Sequence, residues 1–327
     1  MTKDEAQVTM LEQFKKWLLI YFQISMGVGK TRGSLNCAKW MDEKIRTETI
    51  VVEPRGLIVV HTAYSRDTTW PNEIKETHPW LLPRLKSGTV EIVHKDQVVN
   101  LRPTHYSWII WDECHLIKRE HFAFFNRNSF NSLIVMSGTE HDDSILEKAL
   151  KRLVKYNFMK ISVEQAVAHK LINDYRVKLI AVPMTDVEAI QHKEIAIRLT
   201  KARHVSHQVA MMVTGARMRF IYELRSKLVV MQRFVQKSPN RKLIFTSRKE
   251  DCNLFTNNIY HSDTDDTALK AFAEGRVNDL VSIKQIRTGG NFKNFDTIFS
   301  SQINNKKSTF MQDLGRLFRL EVDQLGT

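Results

Sequence analysis

Ser25-Met26-Gly27-Val28-Gly29-Lys30-Thr31 follows directly on the apolar, aromatic-rich run Trp17 to Ile24 and precedes the small, helix-prone stretch Ser34 to Trp40. A buried strand that feeds a glycine-rich loop ending Gly-Lys-Thr, and then opens a helix, is the arrangement that cradles a phosphate chain. Glycines let the loop bend until several backbone N–H groups point at one anion, and the helix N-terminus favours negative charge there. Gly27, Val28 and Gly29 are therefore the expected backbone donors. Lys30 is the mobile charge for the outer phosphates, and the Thr31 hydroxyl is a ligand for Mg²⁺. Ile24 stands where such a loop usually has its first glycine, so the second half of the motif carries the reading.

Outward from that loop the chain alternates apolar runs with polar clusters. Thr9 to Trp17 reads as a helix, with Met10, Phe14 and Trp17 at helical spacing. Gly56 to Val60, Thr89 to Val93, Trp108 to Trp111 and Ser132 to Met136 are short continuous apolar runs, the pattern of parallel strands covered on both faces. Each is followed by a polar cluster, as expected of an open α/β sheet that binds ligands along its carboxyl edge. A second α/β unit comes late, with strands expected at Lys242 to Phe245, Asp279 to Ile283 and Thr297 to Phe299. Between the halves, Arg217 to Gln236 reads as one amphipathic helix with Arg217, Arg225 and Arg233 on a basic outer face, better suited to core packing than to partner binding. The expected fold class is α/β: two domains, each a mostly parallel sheet flanked by helices, with a helical connection. The boundaries are 1–160, 161–237 and 238–327.

Composition narrows the partners. The 327 residues suffice for two cores, and the 43% hydrophobic and 26% charged fractions are those of a soluble globular chain. No apolar run approaches the ~20 residues that cross a bilayer. The N-terminus is acidic and polar rather than signal-like, and Cys37, Cys114 and Cys252 stand apart, which fits a reducing, cytoplasmic setting without a disulfide or zinc framework. The formal charge of +13 favours a polyanionic partner, nucleic acid before membrane.

A phosphate loop needs a carboxylate on the metal side. Asp112, at the end of Trp108 to Trp111, supplies it, and Glu113 beside it is placed to orient or deprotonate an attacking water. His61, His94 and His105 read as ordinary core or surface residues, and Cys114 as a packed small side chain. Trp70 reads as packing for the helix after the second strand, with base stacking as the alternative.

Asp112-Glu113-Cys114-His115 also spells a DExH box, and with it the chain resembles superfamily 2 helicases and translocases, motors with two RecA-like domains. Ser25 to Thr31 resembles that family's motif I and Asp112 to His115 its motif II. Ser137-Gly138-Thr139 resembles motif III, and Gln312-Asp313-Leu314-Gly315-Arg316-Leu317-Phe318-Arg319 resembles motif VI. Fainter likenesses are Val60 to Glu73, Leu243 to Ser247 and Thr288-Gly289-Gly290-Asn291, and Ile161 to Val177 is similar to the interdomain segment of repair translocases and restriction-enzyme motors.

The resemblance implies ATP and Mg²⁺ as cofactors, with Gly289 beside Gly27 to Thr31 and Asp112 at the nucleotide. It implies Gln312, Arg316 and Arg319 as further catalytic groups with Glu113, and His115, Ser137 and Thr139 as coupling residues. An arginine supplied to the γ-phosphate stabilises charge that spreads in the transition state. A motor that tracks many sequences grips the backbone, so Thr62, Ser65, Arg66, Thr246, Ser247, Arg248 and Thr288, all just after expected strands, are the candidate nucleic-acid contacts. DNA is expected in preference to RNA, with replication, repair or recombination proteins as further partners. Two other classes compete: a nucleotide-controlled binding module that does not move, and a P-loop kinase or small-molecule NTPase. A kinase needs neither the second α/β half nor the charge.

Overall fold

A computed structural model describes residues 1–48, 53–139, 143–283 and 296–301. Two compact units make up the chain, one starting at Met1 and running through Tyr175, the other starting at Arg176.

The first unit opens with α1 (Lys3–Trp17), held at its start by a reciprocal cap in which Glu5 N donates to Thr2 Oγ1 at 3.1 Å and Thr2 N to Glu5 Oε2 at 2.8 Å. Met10 and Phe14 face the core, but Trp17 is exposed at the helix end. Leu18, at φ 58°, turns the chain into β1 (Leu19–Ile24), so the strand begins two residues later than the apolar run. There follow α2 (Lys30–Glu48), β2 (Gly56–Val60), a π-helical turn at Ser65–Thr69, α3 (Trp70–Thr77), α4 (Leu82–Ser87) and β3 (Val90–His94). Then come β4 (His105–Trp111), α5 (Phe122–Arg127), β5 (Ser129–Ser137), α6 (Ser144–Leu153), β6 (Phe158–Ile161) and α7 (Val163–Ala168). The six strands form one sheet in the order β3-β2-β4-β5-β1-β6, every pair parallel.

Alternation along these strands sends side chains to two cores. Ile20, Phe22, Ile58, Val60, Trp108, Ile110, Ile134 and Met136 pack with α1 to α3 on one face. Tyr21, Leu57, Val59, Ile109, Trp111, Leu133 and Val135 pack with α5 and α6 on the other. A buried polar knot ties three elements on the first face. Arg84 on α4 donates to Asp42 of α2 and to the Pro54 carbonyl, while Trp108 Nε1 of β4 donates to Asp42 Oδ1 at 2.8 Å.

The second unit contains α8 (Asp186–Val205), α9 (His207–Tyr222), α10 (Arg225–Lys237), β7 (Lys242–Phe245), β8 (Ile259–Tyr260), α11 (Thr267–Ala273), β9 (Asp279–Ser282) and β10 (Thr297–Ser300). Its sheet runs β10-β7-β9-β8, again all parallel, over a core that includes Met231, Val235, Ile244, Cys252 and Val281. Both sheets are parallel and helix-flanked, which is RecA-like architecture. The single helix expected over Arg217 to Gln236 is broken: Leu224 takes φ −54° and ψ 121°, and its side chain is buried. The break is stable because the carbonyls it frees find donors, Lys227 Nζ on Ile221 O at 2.8 Å and Ser247 Oγ on Tyr222 O at 3.1 Å. Among the described residues no helix is long and apolar enough to cross a membrane.

Candidate active site

The strand order decides which loops meet. β5 lies between β4 and β1, so the carboxyl ends of the three strands set Asp112-Glu113, Ser137-Gly138-Thr139 and the loop Ser25 to Gly29 side by side.

The loop is shaped by its glycines. Gly27 and Gly29 take φ of 84° and 99°, a region closed to most side chains, and a Cβ on Gly29 would also lie 2.9 Å from Gln7 Nε2. Helix α2 starts at Lys30, four residues earlier than the small-residue run, so its first N–H groups face the loop. Lys30 Nζ donates to the Ile24 carbonyl at 2.9 Å, folding the charge back over its own loop. Gly138 approaches from the neighbouring strand end: a Cβ there would sit 3.3 Å from Met26 Cγ and 3.4 Å from Lys30 Nζ.

Asp112 is held at both carboxylate oxygens. Glu113 N donates to Oδ1 at 2.9 Å and Trp70 Nε1 to Oδ2 at 3.2 Å. Burial, then the Glu113 charge, pushes the Asp112 carboxyl up to about 6, against the pull of Lys30 and Trp70. Glu113 moves the other way. Burial raises it, but the hydrogen bond and charge of His115, with Lys30 and His61 behind them, outweigh burial and bring it down to about 2. Its backbone is left-handed at φ 49°, a strained conformation for a side-chain-bearing residue of the kind that persists where the surroundings over-determine it. His115 Nδ1 lies 3.2 Å from Glu113 Oε2 and 2.7 Å from Ser137 Oγ, and Thr139 N donates to the same Ser137 oxygen at 3.1 Å. His115, Ser137 and Thr139 thus form a hydrogen-bonded chain leading from Glu113 into the β5 loop.

Thr31 and Asp112 offer only oxygen, the donor type that a hard divalent cation takes. The two stand along one sheet edge, Asp112 at the end of β4 and Thr31 just after the loop that follows β1, so the donor set present fits such an ion.

Thr62, Ser65 and Arg66 follow β2 and make a local turn: Ser65 N donates to Thr62 Oγ1 at 2.9 Å, and Arg66 grips Asp67 through two hydrogen bonds of 2.7 and 2.9 Å. In the second unit, Thr246 is buried with its hydroxyl on the Arg248 carbonyl at 3.2 Å. Ser247 caps α9, and Arg248 pairs with Asp251. Thr288, Gly289, Gln312, Arg316 and Arg319 lie outside the described residues.

The histidines expected to play ordinary roles do so at His94 and His105, which bond the His61 carbonyl and Ser129 Oγ. His61 has a second aspect: burial, then the Lys95 charge, brings its ring down to about 4, within the field of Glu113. Cys114 is fully buried. Trp70 is buried too, which excludes stacking on a base and makes it a support for Asp112. Gln7 was not singled out by sequence, yet it is buried and lies against Gly29 of the loop. The legible signal was a glutamine within the buried stripe Ala6, Gln7, Met10 and Phe14 of α1. Asp96, Glu120 and His121 also cluster, but Lys118 N donates to His121 Nδ1 at 3.0 Å, which leaves the neutral ring's proton on Nε2, the nitrogen facing the carboxylates. That proton excludes Nε2 as a metal ligand, and Lys95 already holds Asp96 at 2.8 Å.

Two solved structures resemble the chain over nearly its whole length. The helicase domain of Hef from Pyrococcus furiosus matches with a TM-score of 0.59 at 11% identity, covering 95% of this chain and 92% of that one. The ATP-dependent Type ISP restriction-modification enzyme LlaBIII, solved bound to DNA, matches with a TM-score of 0.63 at 14% identity, covering 98% of this chain but 26% of that enzyme. The likeness is one of fold, two parallel helix-flanked sheets arranged in one chain as in those proteins. No family model and no curated protein sequence matches the chain.

Proposed function

We propose that the chain is an ATP-dependent nucleic-acid motor, a helicase or translocase acting on DNA. The observation that carries this is the convergence, on one sheet edge, of Lys30 in a glycine-rich loop with the unequal carboxyl pair Asp112 and Glu113, both within the field of Lys30. In this reading Lys30 leaves the Ile24 carbonyl for the outer phosphates, and the N–H groups of Gly27 to Thr31 hold the rest of the chain. Thr31 and Asp112 hold Mg²⁺, which supplies positive charge to the phosphates when bound. Glu113, kept ionised by His115, orients the attacking water. The resemblance gives Arg316 the part of the arginine finger, Arg319 and Gln312 further catalytic parts, and Gly289 a part in nucleotide binding. Gln7, pressed against Gly29, has the paired donor and acceptor that match an adenine edge. The link from Glu113 through His115 to Ser137 and Thr139 carries the state of the phosphate site to the β5 loop. Nucleic-acid contacts fall to Thr62, Ser65, Arg66, Thr246, Ser247, Arg248 and Thr288, most of which are first pinned by local partners. The net charge of +13 and the DNA-bound state of LlaBIII support a nucleic-acid track and DNA as its type.

The test is ATP turnover measured with single-stranded DNA, duplex DNA, branched DNA and RNA in parallel. Turnover that rises with one DNA form supports the motor. Nucleic-acid binding without any stimulation would favour the nucleotide-controlled binding module, and phosphoryl transfer to an acceptor other than water would favour a kinase.

A further inference from the structure

Helix α8 is apolar on two sides. Leu199 and Ala202 are buried, while Val187, Ile190, Ile197 and Val205 are 65, 60, 49 and 73% exposed. Steps of 3, 7 and 8 residues at ~100° each keep these four within one stripe, roughly 27 Å long at 1.5 Å per residue. A helix with apolar side chains on both sides belongs in an interior, yet this outer stripe faces solvent. The stripe ends in an open hollow of about 500 Å³ lined by Val182, Pro183, Val187, Val229 and Val230, with Arg225 also in its wall and the Glu188 carboxylate taken up by Thr185 N and Ser226 N. Exposed Lys193, Arg198 and Lys201 border the stripe, against Glu194 as its single exposed acid between Ile190 and Val205.

We propose that the α8 stripe and its hollow are a docking surface for an acidic amphipathic helix of a partner protein. Such a helix uses both features of the surface: its apolar face covers the four aliphatic side chains, and its carboxylates meet Lys193, Arg198, Lys201 and Arg225. Nucleic acid uses only the cations. Phosphates leave isoleucine and valine in water, and bases stack on aromatic rings, which the stripe lacks. The length matches about five helical turns of the partner. This surface is built wholly from residues of the second unit, with none of the nucleotide-loop residues, so the inference does not depend on the motor reading.

The experiment uses the full chain and a fluorescein-labelled synthetic peptide of about 20 residues, with leucines at steps of three and four and glutamates elsewhere. Its affinity is read by anisotropy beside a scrambled peptide of equal composition, duplex DNA and vesicles of anionic lipid. The variant Ile190→Lys/Ile197→Lys adds charge while removing the stripe; both sites are exposed, and a thermal melt checks the fold. Saturable 1:1 binding of the striped peptide, at least ~10-fold weaker for the scrambled peptide and for the variant, is the expected result. Equal binding by the variant, or no saturable binding by the unaltered chain, overturns the proposal. It is overturned as well if the variant's losses fall on DNA, on vesicles or on self-association measured by sedimentation, each of which names a different occupant.

Discussion

Trp70→Phe isolates one hydrogen bond at the metal-side carboxylate. The indole N–H donates to Asp112 Oδ2 at 3.2 Å, while Oδ1 is held independently by Glu113 N at 2.9 Å. A hydrogen bond to a charged group contributes about 1.5–3 kcal/mol, and the length of this one places it at the low end. With one of its two anchors removed, Asp112 is less fixed and its ionised form less favoured. If that loss appears in cation binding, a difference of about 1.4 kcal/mol is a tenfold one, so half-saturation by Mg²⁺ should rise about tenfold. The assay is a Mg²⁺ titration of MgATP-dependent turnover, repeated with nucleotide binding as readout. Phenylalanine keeps a ring in the buried site, so the fold should survive with a modest loss of stability. Ile74→Val, one turn along α3 and equally buried, loses packing without touching Asp112 and should leave the Mg²⁺ curve in place. An unchanged Mg²⁺ dependence in Trp70→Phe, or an equal shift in Ile74→Val, would refute the positioning role.

The other expectations concern chemistry and stability. Glu113→Gln should bind ATP but turn it over at least ~10²-fold more slowly in a single-turnover assay, the weight of a positioned acid–base group. Arg316→Ala should keep ATP affinity and lose ~10³-fold or more in turnover, because a finger acts on the transition state; comparing equilibrium binding with turnover separates the two. Asp42→Ala should cost about 3–5 kcal/mol in urea unfolding, since it strands the buried Arg84 charge, and Asp42→Leu/Arg84→Met should recover much of that loss. His78 is buried with Nε2 on Asn36 Oδ1 at 2.9 Å, and burial, then Arg32 and Lys39, brings it down from 6.5 to about 4. The unfolded chain therefore binds the proton first, so the His78 contribution is complete above pH 6.5 and is lost as pH falls towards 4. Unfolding free energies across that window should flatten in His78→Gln.

What the sequence revealed and what it hid follow from how far each feature reaches. Parallel strands covered on both sides print as unbroken apolar runs, so β2, β4 and β5 were legible, and with them the strand-end positions of Asp112 and Ser137. β6 begins with exposed Phe158, lies at the sheet edge and has no such run. Resemblance marked His115 and Ser137 each as a coupling residue, but their contact with one another depends on β5 lying beside β4, a register of pairs such as Trp111 with Val135 that no local pattern encodes. The Trp70 bond to Asp112 spans 42 positions and was hidden for the same reason. Arg66 and Arg248 carry a feature that was local and still unread. Their ion-pair partners, Asp67 and Asp251, lie one and three residues away, within reach of local sequence alone. The α9–α10 break was concealed because Ile221, Leu224 and Leu228 keep helical spacing across it; the turn is made by donors from outside the segment's own periodicity, Ser247 among them. α8 shows the limit most clearly. Apolar residues on two opposite sides cancel in any search for one wet and one dry face, so a helix built to be covered twice prints as featureless sequence. Only the burial of Leu199 and the exposure of Ile197, two positions apart, separate the face that is already packed from the one that is still open.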